Sequence, residues 1–168
     1  PPERITPTFI RLIFDTQKIT KAIDPSRPFN DLTSFHCVTD IWSIMNYESD
    51  VTRFALKLKP DKNKAEYTNQ PLFIGEFGGL VWETSESAKG TWGHGGMFTN
   101  EDDIYECLEK LVDAIQTSGN ITGFCYTQLT DIEQEKNGIY NYNREPKLNV
   151  ERVKSIFEKI PSRPTKKK

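Results

Sequence analysis

Leu72-Phe73-Ile74-Gly75-Glu76-Phe77-Gly78-Gly79 is the stretch on which the fold turns. A short apolar run closed by a glycine pair reads as a buried strand followed by a tight turn. Strict alternation puts Leu72, Ile74 and Glu76 on one face and Phe73 and Phe77 on the other. A carboxylate then extends an apolar stripe at the strand's C-terminal end. A charge there needs a partner or a reaction. Gly75, Gly78 and Gly79 clear side chains around it. Two readings of Glu76 stay open from this pattern alone: a strand-end carboxylate paired with a Lys or Arg, or a catalytic group.

Outward from this strand, strands and helices alternate. Upstream, Ile10, Ile13, Phe14, Ile19 and Ile23 recur at helical spacing over residues 8–23, and Asp24-Pro25 ends that helix. Residues 27–34 (RPFNDLTS) read as a short strand, residues 39–47 (TDIWSIMNY) as a β-branched and aromatic one, and 50–59 as a short amphipathic helix. Downstream, a loop rich in Gly, Ser and Trp leads to a helix capped by Thr99 or Asn100, with Glu101, Asp102 and Asp103 in its first turn. Ser118-Gly119-Asn120 stops it; ITGFCYTQL (121–129) is a fourth strand, and 149–159 a last helix. Strands alternating with helices predict an α/β fold of parallel βα units. Four units make either half of an eight-stranded barrel or a small open sheet, and periodicity does not choose between them.

Composition narrows the function. With 22 basic against 24 acidic residues the net charge is -2, so no field favours nucleic acid. No apolar run approaches the roughly 20 residues of a membrane span, and PPERITPTF lacks the basic start and apolar middle of a signal peptide. Cys37, Cys107 and Cys125 are odd in number and widely spaced, which suits neither a disulfide framework nor a metal site. We therefore expect no metal and no cofactor. Residues 1–160 are expected to form one folded unit, and 161–168, ending in three lysines, a disordered basic tail.

Five blocks resemble family-2 glycoside hydrolases, the group of β-galactosidases, β-glucuronidases and β-mannosidases. PLFIGEFGG (71–79) looks like the family's nucleophile strand. DPSRPFND (24–31) resembles the approach to the fifth barrel strand, and TDIWSIMNYESD (39–50) the sixth strand with its Tyr. GTWGHGG (90–96) resembles the loop after the nucleophile, and residues 123–147 the eighth strand and its loop. The blocks come in family order. The resemblance implies the C-terminal half of a (β/α)8 TIM barrel, strands 5–8 with their helices. It implies hydrolysis of terminal β-D-glycosides, β-galactosides by default, through a retaining double displacement. Glu76 is the implied nucleophile, and Tyr47 the residue that hydrogen-bonds it and holds it ionised.

The family's acid/base Glu follows an Asn at the end of the fourth strand. The one Asn-Glu pair here, Asn100-Glu101, falls at a helix start instead. The expectation is thus a piece of a longer enzyme, inactive alone, whose partners are a carbohydrate substrate and the N-terminal half of the same barrel. Open strand edges would also favour self-association. A non-catalytic carbohydrate-binding half-barrel is the competing reading, and a free-standing α/β protein a weaker third. Asn46, Trp92, His94 and Asp131 are the expected sugar contacts. Trp92 could equally anchor its own loop, His94 could be solvated, and Asp131 could cap its loop or pair with Arg144 or Lys147. Met45 stands where relatives often carry His, and Glu135-Lys136-Asn137 stands where β-glucuronidases place an Asn-x-Lys motif.

Overall fold

The computed structural model describes residues 6–31, 36–61, 66–82 and 90–159. Its elements run α1 (Pro7–Ile23), β1 (Trp42–Asn46), α2 (Val51–Leu56), β2 (Leu72–Gly78), β3 (Val81–Trp82), β4 (Met97–Phe98), α3 (Glu101–Thr117), β5 (Ile121–Thr127) and α4 (Val150–Phe157). The helix starts follow local chemistry. Thr6, Asp50, Asn100 and Asn149 each accept a backbone N–H of the first turn through the side chain. At the far end of α3, Gly119 takes φ +74° where the chain leaves the helix.

β1, β2 and β5 form one parallel sheet in the order β1-β2-β5, as alternating strands and helices require. β3 and β4 form a second, two-stranded parallel pair that the sequence reading missed, each being only two residues long. Residues 27–31 of the expected strand over 27–34 are irregular, and 32–34 lie outside the described residues. Pro28 and the side-chain and backbone bonds from Phe29 to Asp40 hold this segment as a loop instead. The expected tail over 161–168 also lies outside the described residues.

The core packs one face of the sheet against α2, α3 and α4. Ile74 and Phe77 of β2 join Phe54, Ile104, Leu108, Leu111, Val112, Val153 and Ile156 in one apolar cluster. This corrects the alternation expected for β2. Ile44 pairs with Ile74, but Met45 pairs with Glu76, so Gly75 is an extra residue against β1. Against β5 the register shifts again between Ile74 and Phe77. Such a bulge re-aims the side chains that follow it. Ile74 and Phe77 therefore both face the helices, and Glu76 is turned away from them. Leu72 and Ile74 are both buried, and Ile74 packs in the cluster under the helices. Met45, on the face away from the core, is among the exposed large apolar residues.

Candidate active site

The C-terminal ends of β1 and β2 bring two sequence-predicted residues together. Tyr47 directly follows β1, and its hydroxyl donates to Glu76 Oε2 near the end of β2. Burial, and after it this hydrogen bond, push the Tyr47 phenol up to about 12. The phenol therefore remains a protonated donor throughout the physiological range.

The turn after β2 makes room for this pair. Gly79 has φ +60°, and a Cβ on it would lie 2.8 Å from His94 Cβ and 3.0 Å from Tyr47 Cδ1. Gly78 has φ +86°, and its missing Cβ leaves space for the Tyr126 ring. Gly79 N–H donates to Thr127 O, and Gly79 O accepts from Gly95 N–H. The glycine pair thus ties the end of β2 to the end of β5 and to the 90–96 loop.

That loop brings a third predicted residue to the pair. His94 stacks on Tyr47 with ring centroids 4.4 Å apart and planes 20° apart. Trp92 meets the His94 ring edge-on at 5.2 Å and is 48% exposed. Glu135, absent from the sequence-predicted set, places Oε1 3.3 Å from His94 Nε2. Asn137 Nδ2, fully buried, donates to the same oxygen at 3.2 Å. Trp92 N–H donates to Gln134 O, and Trp92 O accepts from Lys136 N–H, so the two loops are joined by backbone. Nothing in the spacing of Glu135 from His94 announces this approach, since 41 positions separate them in the chain.

Two of the expected sugar contacts have their side chains bonded within the chain. Asn46 is 3% exposed; its Nδ2 donates to Phe54 O at 3.0 Å and its Oδ1 accepts from Glu48 N–H. Its amide is spent on holding β1 to α2, one position before Tyr47. Asp131 is likewise 3% exposed. Its Oδ1 accepts from Gly138 N–H at 2.9 Å, and both oxygens accept from Lys147 Nζ at 2.9 and 3.1 Å. Through these bonds it organises the loop after β5.

No protein-family profile matches the chain, and no curated protein matches it significantly. Solved structures do. A GH2 β-galacturonidase from Eisenbergiella tayi, bound to glycerol, superposes with a TM-score of 0.64 at 18% identity, over 93% of this chain and 31% of its own. An FMN-binding β-glucuronidase from Facaelibacterium prausnitzii L2-6 gives 0.67 at 18% identity, over 94% and 27%. A β-glucuronidase from Ruminococcus gnavus, in complex with an N1-substituted uronic isofagomine, gives 0.63 at 17%, over 94% and 30%. The likeness is one of fold. The chain spans less than a third of the length of each of these proteins.

Proposed function

We propose that the chain is the second half of a (β/α)8 barrel in a retaining β-glycosidase, with Glu76 as the nucleophile. The observation that carries this reading is the Tyr47 hydroxyl donated to Glu76 at the C-terminal end of neighbouring parallel strands. Parallel barrels build their active sites at that end. The likeness in fold to three glycosidases supports it.

In the first displacement a Glu76 oxygen forms a bond to the anomeric carbon. The bond to the leaving oxygen breaks, and that oxygen takes a proton from a second carboxylic acid. In the second, the same carboxylate takes a proton from water, the water oxygen bonds to the anomeric carbon, and Glu76 is released. In retaining enzymes the two carboxyls stand about 5–5.5 Å apart. We assign the second carboxyl to the other half of the barrel, because Asn100-Glu101 opens α3 and Glu101 accepts from the Tyr105 hydroxyl.

The substrate we propose is a neutral β-D-glycoside, a β-galactoside first. A uronate carboxylate needs a cation, and the lysines near this loop are engaged: Lys147 with Asp131, and Lys136 with Asp131 at 3.8 Å. Glu135 beside His94 adds negative charge at the same place. Both points favour hydroxyls over a carboxylate.

The test is Glu76→Ala in a polypeptide that joins this chain to the first half of the barrel. Turnover of an activated aryl β-galactoside should collapse and then recover with azide, giving a glycosyl azide of inverted configuration. Retained turnover without azide would refute the assignment.

A further inference from the structure

A phenol that must aim at a carboxylate loses its aim if its ring can leave the rotamer. Tyr47 stands past the end of β1, where the ladder no longer fixes it. We propose that His94, oriented by Glu135, is a positioning residue that clamps the Tyr47 ring so that its hydroxyl stays on Glu76. The proposal rests on Glu76 being the nucleophile.

Four observations meet in it. His94 lies face to face with Tyr47 and not edge-on, the arrangement that blocks rotation of the phenol toward that side. Trp92 closes against the His94 ring edge-on. Glu135 stands within reach of Nε2, and Glu135 is itself held by the buried Asn137 amide. Gly79 leaves the space that both rings occupy, and any Cβ there would strike His94 and crowd Tyr47. The clamp therefore runs from the loop after β5, through His94, to the residue that touches the nucleophile. A histidine engaged on one face by Tyr47 and on one edge by Glu135 is poorly placed to serve as a sugar contact, and its role here is to fix another residue.

The test uses nuclear magnetic resonance on the 168-residue chain with labelled tyrosine, Tyr47→Phe identifying the Tyr47 signals. The wild type should show cross-relaxation between the Tyr47 ring and the His94 imidazole. His94→Ala should move the Tyr47 ring signals and lower its phenol midpoint from about 12 toward 10. His94→Phe, which keeps an aromatic face, should restore both. Glu135→Ala should move the ring signals in the same direction as His94→Ala. A His94→Ala chain with unchanged Tyr47 signals and midpoint would overturn the proposal, and so would a His94→Phe chain that behaves like His94→Ala. If His94→Ala does not fold, His94→Leu fills the space without a ring face and carries the same expectations. Failure of the nucleophile reading appears separately, as a mechanism-based label on a carboxylate other than Glu76 with the Tyr47–His94 cross-relaxation intact.

Discussion

Replacing Tyr47 by Phe removes one oxygen and, with it, the donor to Glu76. A hydrogen bond to a charged group is worth about 1.5–3 kcal/mol. If that bond strengthens as charge redistributes at Glu76, turnover by the joined enzyme falls about ten- to a hundredfold with the fold intact. An unchanged turnover number would make Tyr47 structural only. The same residue sets an alkaline limit. Its folded phenol titrates near 12 against an ordinary 10. A raised folded value means the stabilisation is full below pH 10 and is lost as pH rises toward 12. Denaturation midpoints should therefore decline over this window less steeply in Tyr47→Phe than in the wild type. Equal slopes would show that the phenol is not held in this environment.

At the scale of elements, the loop after β5 stands on one buried charge pair. Asp131→Asn leaves Lys147 without its counter-charge, and breaking such a pair costs roughly 3–5 kcal/mol. Its urea midpoint should drop well below that of the wild type, whereas Glu133→Gln should not move it. A stable Asp131→Asn chain would contradict the loop's architecture. These elements also show what the sequence could disclose. Helices were legible because their caps and apolar spacing are local: Asn100 and the acids after it open α3, and Asn149 opens α4. β1, β2 and β5 were legible as apolar runs. The bulge at Gly75 was not, because it depends on how β2 pairs with two neighbours at once, and it turned Glu76 and Phe77 to the faces opposite those expected. The places of Glu76 and Tyr47 at strand ends were legible, whereas their pairing was implied by the resemblance alone. The internal partners of Asn46 and Asp131 were not legible, because a polar residue near a strand end looks the same whether it meets a backbone carbonyl or a lysine sixteen positions on. Glu135 escaped because its approach to His94 is made by tertiary contact alone.

For the whole molecule, the sheet of the described residues has β1 and β5 as its two edges, and both are parallel strands able to recruit another chain. α1 adds an apolar surface, with Leu12, Ile19 and Ile23 all more than half exposed and none of its residues in the central cluster. In the proposed enzyme the first half of the barrel covers these surfaces. Alone, the chain should sediment as dimers or larger species. It should also lack measurable turnover on nitrophenyl β-galactoside, β-glucoside and β-mannoside, because general acid catalysis alone contributes about 10²–10⁴-fold. A monomer with robust turnover would refute the half-barrel reading. The assignment of Glu76 is tested most directly by trapping the covalent intermediate. The joined polypeptide is treated with a 2-deoxy-2-fluoro β-galactoside carrying a good leaving group, digested, and sequenced by mass spectrometry. The account predicts one added fluoro-sugar on the peptide Pro71–Trp82, at Glu76. A label on Glu83, Glu133 or Glu135 instead would contradict it.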